Sequence, residues 1–528
     1  MLILKKCEKK IWLYIGLVLI ICQFCIKSNA QVFWSKTYNL DETKVQANLG
    51  DADSQNKLGN QHYHKKEYEK ALKWWLKAAK KGHAVAMASA GMAYEEGWAG
   101  KKNLTEAFKW YTEAAEKNEE RALYRLARMY YNGAVAQKDY AKAFSLLEKA
   151  AIFGEKAAYI WLGDLCRDGE GTNQDYVKAI EWYKKSADYG NGNAMNRIGV
   201  IYHNGKGVTQ DYAEAMKWYK MADEKGNIYA PRNIGILYYD GSGVVQNYEE
   251  AMKWYKKSAD RGDGYAMNRI GVLYHDGKGV TQDYAEAMKW YKMADEKGSD
   301  WAPNNIGNLY NNGEGVTQSY EEAMKWYKKA VDRGNTTAMN SIGYMYQEGN
   351  GVTQSHENAM MWYKKAVEKG NTSAMIRIGY MYLDGKGVDQ NYTEALQWFQ
   401  KAVDKGSITG LNDMGYMYEH GYGVSQNYKT AFDYYTKAHD KGNVKAGGHL
   451  GEMYYNGWYV EKDFGKAFSY LKEAAEAKKN PSARAMRLLS ACYRYGLGTA
   501  KDEAKEKYWM EEAAKHKDDK AMIIMGSE

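Results

Sequence analysis

The sequence predicts an all-α fold, a solenoid of about thirteen stacked two-helix repeats of 36 residues. The first observation is that segment 194–229 recurs at 266–301 with only five substitutions in 36 residues. A fixed period of this length is characteristic of stacked helical repeats. The second observation is the composition, since 3 prolines and 52 glycines among 528 residues fit helices that are separated by glycine turns.

The first ten residues of the repeat predict a short amphipathic helix, called helix A here. With Ala194 as position 1, Ala194, Ile198 and Ile201 fall on one helical face. A glycine recurs at position 6, as at Gly199, although glycine inside a helix costs about 1 kcal/mol relative to alanine. Its recurrence predicts that the partner helix packs almost against this Cα. The helix is expected to end at the glycines of 205–207.

The second helix of the repeat, helix B, is expected to start after Asp211. This residue is a good N-cap, and Glu214 is placed to bond back to its N–H in a reciprocal capping box. Trp218 and Tyr219 lie on one stripe of the helix, which ends at Gly226. One such hairpin has too small a core to be stable alone, so we expect the repeats to be stabilised by stacking on their neighbours.

The repeat has the pattern A-x-x-x-[IL]-G-x-x-Y-x-x-G-x-G-V, followed by Y-x-x-A-x-x-W-Y-x-x-A. At a period of 36 residues this pattern resembles the Sel-one-like repeat, a relative of the tetratricopeptide repeat, over residues 54–528. The resemblance implies a right-handed α/α superhelical solenoid that serves as a scaffold or adaptor. Some secreted members carry a disulfide in every repeat. After residue 30 this chain has only Cys166 and Cys492, nine repeats apart, so a bridge is not expected.

Residues 1–30 predict a secretory signal peptide. A basic stretch precedes the apolar run 11–26, and a small-x-small motif ends at Ala30, where we expect cleavage. An uncleaved N-terminal membrane anchor is an alternative, although the run is short for a bilayer span. Lipidation at Cys22 or Cys25 is a further alternative, but the residues before them make a poor lipobox. We therefore predict export, to a periplasm, the cell surface or the medium.

Residues 31–53 are predicted to form a lead-in and a half-repeat, and residues 54–528 the solenoid. Loss of 1–30 removes five basic residues and one acidic residue, which lowers the net charge from +8 to +4. This charge is too small for a nucleic-acid partner, which requires a dense basic stripe. A membrane is expected as a partner only through an uncleaved N-terminal segment.

The sequence shows no catalytic constellation, and no cofactor or metal site is predicted. The recurring G-x-G pairs follow helices rather than strands, so they indicate turns and not phosphate loops. Ser54 and Ser469 each begin an S-x-x-K string, and some cysteine-rich relatives have been linked to β-lactam binding. The companion S-D-N and K-T-G strings are missing. A β-lactamase-like hydrolase is therefore the weakest alternative, and we predict that the protein is not an enzyme.

Positions 3, 7 and 10 of helix A point away from its buried face, and by resemblance to tetratricopeptide arrays this side lines a concave groove. Amides at position 3 can pair with a peptide backbone or a sugar hydroxyl, and tyrosines at position 7 offer flat faces with polar tips. Alternatively, neighbouring helices A cover these residues as lateral packing. The candidate groove residues are Asn196, Asn268, Asn304, Asn340, Asn412, Tyr344, Tyr380, Tyr416, His203 and His275.

These observations predict an exported, non-enzymatic scaffold that binds a protein or peptide partner along the groove. The same surface could instead bind a glycan or cell-wall polymer, and this alternative stays open at the level of sequence. His203 and His275 share position 10 but lie two repeats apart, too far to share a metal ion.

Overall fold

The computed structural model describes residues 42–477 and 481–526. The predicted signal peptide, with its alternatives of an anchor or a lipidation site, lies outside the described residues. Within these ranges every regular element is an α-helix. None of the described helices combines the length and the apolar character that a bilayer crossing requires.

The described residues form 28 helices. They are α1 (Glu42–Leu49), α2 (Ala52–His64), α3 (Tyr68–Ala79), α4 (Ala84–Glu96), α5 (Leu104–Ala115), α6 (Glu120–Asn132), α7 (Tyr140–Ile152), α8 (Ala157–Asp168), α9 (Tyr176–Asp188), α10 (Gly192–Asn204), α11 (Tyr212–Glu224), α12 (Ala230–Asp240), α13 (Tyr248–Asp260), α14 (Gly264–Asp276), α15 (Tyr284–Glu296), α16 (Ala302–Asn312), α17 (Tyr320–Asp332), α18 (Thr336–Glu348), α19 (His356–Glu368), α20 (Thr372–Asp384), α21 (Tyr392–Asp404), α22 (Ile408–His420), α23 (Tyr428–Asp440), α24 (Val444–Asn456), α25 (Phe464–Ala475), α26 (Ala483–Tyr495), α27 (Glu503–Lys515) and α28 (Asp519–Gly526).

From α2 onwards the even-numbered helices are helices A and the odd-numbered helices are helices B. The chain divides into two compact units, the first ending at Ser258 and the second beginning at Ala259. Within each unit, helix A packs against the helix B of its own repeat, and helix B packs against the helix A of the next repeat. The prediction of an all-α solenoid of paired helices is confirmed.

The close contact predicted at position 6 is present and holds each hairpin together. A Cβ on Gly199 would lie 2.6 Å from the ring of Tyr219, and a Cβ on Gly343 would lie 2.5 Å from the ring of Tyr363. These separations are shorter than carbon atoms tolerate, so the two helices can approach this closely only over glycine. We call this contact between position 6 of helix A and position 26 of helix B the seam. Its tyrosine rings are fully buried.

The predicted start of helix A is wrong in most repeats. Helix α10 begins at Gly192, two residues before position 1, because the side chain of Asn191 caps it and accepts the N–H of Ala194 at 3.3 Å. Helix α12 is an exception that begins at Ala230, with Pro231 in its first turn. The sequence feature that marks the true start is the small polar residue directly after the glycine that ends helix B.

Only half of the predicted capping box forms. The side chain of Asp211 accepts the N–H of Glu214 at 2.9 Å, as expected of an N-cap. The N–H of Asp211 itself donates to the carbonyl of Tyr202 at 3.0 Å, so it does not bond the Glu214 carboxylate. That carboxylate accepts the indole N–H of Trp218 at 2.7 Å. A carbonyl group of helix A therefore accepts the backbone N–H of Asp211, which the Glu214 carboxylate was expected to accept.

Both cysteines of the described residues, Cys166 and Cys492, are buried and free. Burial raises the pKa of each thiol to about 11. A thiol with such a pKa stays protonated near neutral pH, so these two residues act as small apolar core side chains.

Candidate functional site

The candidate groove residues lie on one face of the helices A, together with position 4, which the sequence analysis did not include. We call the face formed by positions 3, 4, 7 and 10 the helix A wall. Within a unit, side chains at positions 3 and 7 of one helix reach position 4 of the next helix A. The carboxylate of Asp164 on α8, for example, lies 2.8 Å from the guanidinium of Arg197 on α10. In part of the wall, neighbouring helices A therefore cover each other's side chains.

Two of the predicted asparagines use their amide oxygen in such a lateral contact. Asn233 donates from Nδ2 to the Oδ1 of Asn196 at 2.9 Å. Asn305 makes the same contact with Asn268, also at 2.9 Å. Both bonds join position 3 of one helix A to position 4 of the next, so at these points the wall is closed by its own side chains.

Three other predicted asparagines, Asn304, Asn340 and Asn412, differ in this respect. Their Oδ1 atoms are buried, and among the described residues they have no hydrogen-bond partner. An unpaired buried acceptor costs roughly 1 to 3 kcal/mol. All three residues lie on helices A of the second unit, α16, α18 and α22, whereas α20 between the last two carries Ile376 at this position.

Each tyrosine of the predicted row is oriented by a neighbouring side chain. The ring of Tyr344 lies under the guanidinium of Arg377, 4.8 Å from the ring centroid. The hydroxyl of Tyr380 donates to the Oδ1 of Asp413 at 2.9 Å. The ring of Tyr416 lies 4.2 Å from that of His420. Tyr380 has 37% of its surface exposed, so it offers a face as well as a polar tip.

Asp413, at position 4 of α22, was missed by the sequence analysis. Its side chain is 4% exposed. Oδ1 accepts hydrogen bonds from the hydroxyl of Tyr380 and, at 3.4 Å, from the Nδ2 of Asn412, whereas Oδ2 has no partner among the described residues. Burial raises the pKa of this carboxyl group to about 6. Position 4 is occupied by an arginine in α10 (Arg197) and α20 (Arg377). The acid at this position in α22 could therefore have been noticed in the sequence.

Two cavities adjoin Asp413, and both are lined by Tyr380, Asn412 and Asp413. The first has a volume of about 530 Å³ and extends towards Lys441, directly after α23, and Lys445, at the start of α24. The second has a volume of about 330 Å³, and we call it the Asp413 pocket. Its lining residues are Tyr380, Leu383, Asp384, Phe399, Asn412, Asp413 and Tyr416.

A second buried carboxylate, Glu419 at position 10 of α22, is fully engaged. It accepts the hydroxyl of Tyr435 at 2.6 Å and a guanidinium N–H of Arg484 at 3.4 Å. The Nδ1 of His449 lies 3.3 Å from it. Burial opposes ionisation, but the contacts with His449 and Tyr435 and the charge of Arg484 lower the pKa of Glu419 to about 2. This carboxylate is therefore ionised and tied into the structure.

The seam tyrosines supply hydroxyl groups to the wall. Tyr183 donates to the carboxylate of Asp164 at 2.7 Å, and Tyr435 donates to Glu419. The repeat that forms the Asp413 pocket has Phe399 at this seam position, packed over Gly379. Because a phenylalanine has no hydroxyl, the wall of this repeat need not supply an acceptor for it.

The two candidate histidines occupy equivalent positions but have different surroundings. His203 packs edge-on against Tyr212, with ring centroids 5.5 Å apart, and burial lowers its pKa. His275 lies between two carboxylates, with Nδ1 3.0 Å from Asp276 and Nε2 3.0 Å from Glu314. The first is a packing residue, and the second bridges helix α14 to the repeat that follows it.

The serines considered for a hydrolase are in ordinary positions. Ser469 is exposed on α25, as its sequence position predicts, and the backbone N–H of Ser54 is capped by Asp51 at 2.7 Å. In the part of the chain that the structure describes, no group of three or more histidine, cysteine, aspartate or glutamate side chains is arranged to hold a metal ion.

Comparison with known families finds thirteen copies of the Sel1 repeat. They match residues 52–83, 84–119, 120–152, 156–191, 192–227, 229–263, 264–299, 304–335, 336–371, 372–407, 409–443, 449–479 and 483–518. No curated protein matches the chain.

Two solved structures illustrate the similarity. The protective antigen c5321 of uropathogenic Escherichia coli, which displays an SLR fold, is 28% identical over 86% of this chain and 97% of its own, with a TM-score of 0.50. A Sel1 repeat protein from Oxalobacter formigenes is 34% identical over 46% of this chain and 99% of its own, with a TM-score of 0.42. With matches along most of its length, the chain belongs to the Sel1 repeat family, whose members are generally protein-interaction scaffolds.

Proposed function

We propose that this protein is an exported scaffold that holds an extended protein segment along the helix A wall of its second unit. The observation that carries the proposal is the cluster of Tyr380, Asn412 and Asp413. It combines an exposed aromatic face, two buried acceptors that have no partner among the described residues, and two adjoining cavities. At other points of the wall such groups pair with each other, as Asn196 does with Asn233 and Asn268 with Asn305.

The chemistry of the unpaired groups favours a peptide as the ligand. The Oδ1 of Asn340, the Oδ1 of Asn412 and the Oδ2 of Asp413 are all acceptors, and an extended peptide presents backbone N–H donors along its length. A scaffold that offers acceptors on several helices A of one unit can hold such a segment without opening its own core. Contacts of this kind give affinity through the backbone, while cavities beside them select side chains.

A glycan or cell-wall polymer would need open aromatic faces on which to stack. Several tryptophans on helix B are poorly suited, because lysine ammonium groups cover them: Lys401 lies 4.1 Å from the ring of Trp398, and Lys365 lies 4.5 Å from that of Trp362. The helix A wall is the surface that a glycan and a peptide would share, so both ligands belong in the same experiment.

The test is capture by the mature chain, residues 31–528, and by a variant with Tyr344, Tyr380 and Tyr416 changed to alanine. The baits are incubated with envelope proteins and, separately, with cell-wall fragments. We expect the wild type to retain protein, and the variant to lose most of this capture while its helical circular dichroism is unchanged. Equal capture by both baits would contradict the proposal, and retention of cell-wall fragments alone would favour the glycan.

Export is the second part of the proposal, and it is supported by the sequence of residues 1–30. Expression of the full chain, followed by cell fractionation and N-terminal sequencing, tests it. We expect the exported protein to begin at Gln31, and a chain that stays in the cytoplasm with Met1 intact would refute this part.

A further inference from the structure

We infer that the Asp413 pocket receives the positively charged side chain of a lysine or arginine from the bound segment. The inference rests on the proposed function, because it names the side chain that this part of the wall selects. It is carried by the lining of the pocket, by the unpaired oxygen of Asp413 and by a reversal of charge along the wall.

The lining of the pocket suits a cation. Asp384 and Asp413 contribute carboxyl groups, and Tyr380, Phe399 and Tyr416 contribute aromatic rings, whereas no basic residue is among its lining residues. A cation gains from carboxylates through charge-assisted hydrogen bonds and from ring faces through cation–π attraction. The apolar stem of a lysine or arginine side chain fits against the remaining aromatic and aliphatic surface.

Asp413 has an oxygen available for such a ligand. Its Oδ1 already accepts from Tyr380 and Asn412, while Oδ2 has no partner among the described residues although the side chain is more than nine-tenths buried. A buried carboxylate without a charged partner is unfavourable. A cationic N–H group at Oδ2 removes this penalty, and Tyr380 holds the carboxyl group in place for the contact.

Other helices A supply this cation from within the chain. Arg197, at position 4 of α10, lies 2.8 Å from the carboxylate of Asp164 on the preceding helix A. Arg125, at position 4 of α6, lies 3.1 Å from Glu95. In α22 position 4 is occupied by an acid, Asp413, where α6 and α10 carry an arginine. This acid faces Tyr380 of the preceding helix A, so the charge at position 4 is negative here instead of positive. Among the described residues no arginine makes this contact with Asp413, although His449 and Lys445 ease its ionisation, so we assign the cation to the bound segment.

The charged groups around Asp413 direct the ligand to one side. Lys441 and Lys445 line the other, larger cavity, and their charge disfavours a cation there. Asp384 lines the Asp413 pocket but not the larger cavity; it is exposed, and its carboxylate lies 3.4 Å from the ammonium group of Lys386. A cation therefore enters between Tyr380 and Tyr416, with Asp413 as its principal partner and Asp384 as a weaker one.

The experiment is selection of peptides from a random linear display library by the mature chain. We expect the wild type to enrich peptides that share one basic residue at a fixed place in the motif. A synthetic peptide with that residue replaced by norleucine should bind about tenfold more weakly or worse, as the loss of a charge-assisted hydrogen bond in a buried site implies. Asp413→Asn should lose most of this preference and keep only the small part that Asp384 contributes.

Two controls distinguish an effect of the Asp413 pocket from a general effect of charge and from a loss of folding. Asp433→Asn removes an exposed carboxylate on helix B and should keep the preference for the basic peptide. Asp413→Asn retains an oxygen that can accept from Tyr380 and Asn412, and its thermal unfolding is measured alongside. Asp384→Asn provides an independent variant, which should reduce the preference by a smaller factor.

The outcomes distinguish this inference from the proposed function. A peptide motif without a basic residue, or the same basic preference in Asp413→Asn, would overturn the inference and leave the scaffold in place. A wild type that enriches no peptide at all would overturn both.

Discussion

Asp413 and Glu419 lie on the same helix, α22, and each is 4% exposed, yet their carboxyl groups behave in opposite ways. Glu419 is in contact with Tyr435, His449 and Arg484, and its pKa falls to about 2. Among the described residues, Asp413 receives hydrogen bonds only from neutral groups, and its pKa rises to about 6. Equal burial thus has opposite consequences, because the donors around a carboxylate decide whether its charge is stabilised. Glu419 is held by contacts within the chain, whereas Asp413 is the carboxyl group to which we assign a ligand.

The largest effect is expected for Glu419→Gln. The substitution leaves Arg484 without one of its anionic partners and weakens the contact with His449, so we expect unfolding to become easier by about 3 kcal/mol. Urea denaturation at pH 7, compared with the wild type and with Asp433→Asn, measures this. A loss below about 1 kcal/mol would show that the Glu419 contacts contribute little, and the contrast with Asp413 would fail.

Asp413→Asn should change the free energy of unfolding in the opposite direction and by a smaller amount. It removes the cost of ionising a buried carboxyl group at pH 7, so we expect a gain in the free energy of unfolding of about 1 kcal/mol in the absence of ligand. The same denaturation experiment gives the value. A substantial loss of stability would mean that Asp413 is paired in a way that resembles Glu419.

The pH dependence of these two differences sharpens the comparison further. The folded-state pKa of Asp413 is raised from 3.8 to about 6, so its ionisation destabilises the fold above pH 6 and this penalty disappears as the pH falls towards 4. His449 and Lys445 of α24 face this group and ease its ionisation. The advantage of Asp413→Asn should therefore vanish between pH 7 and pH 4.

Glu419 should respond in a lower range of pH. Its folded-state pKa is lowered from 4.5 to about 2, so its contribution is complete above pH 4.5 and is lost as the pH falls from there towards 2. The deficit of Glu419→Gln should persist at pH 5 and shrink at pH 3. Denaturation of both variants at pH 7, 5 and 3 tests the two windows together, and a common pH dependence would contradict the contrast.

Most of the fold was predictable from internal similarity, because each repeat makes the same local contacts. The glycine at position 6 is costly in a helix, and its recurrence was sufficient to predict the close approach that the ring of Tyr219 makes to Gly199. Helix boundaries were less predictable. The cap at Asn191 and the bond from Asp211 to Tyr202 depend on how the turns between helices close, which periodicity does not describe.

The candidate site was only partly predictable for a related reason. A helical wheel separates the buried face from the open face, so it identified the rows that contain Asn412 and Tyr380. It does not show which residues of neighbouring helices A meet each other, and position 4 was therefore left out. Asp413 could have been found as the acid in a row that carries arginine at Arg197 and Arg377.

The phenylalanine at the seam of this repeat has a practical consequence for protein engineering. In a repeat with a seam tyrosine, substitutions on the helix A wall have to keep a hydrogen-bond acceptor for the tyrosine hydroxyl. Asp164 is this acceptor for Tyr183. Phe399 imposes no such condition, so positions 7 and 10 of its repeat, Tyr380 and Leu383, can be varied without leaving a phenol unpaired. Libraries that seek new binding specificities are therefore best started at Leu383, because a change at Tyr380 also removes the hydrogen bond to Asp413.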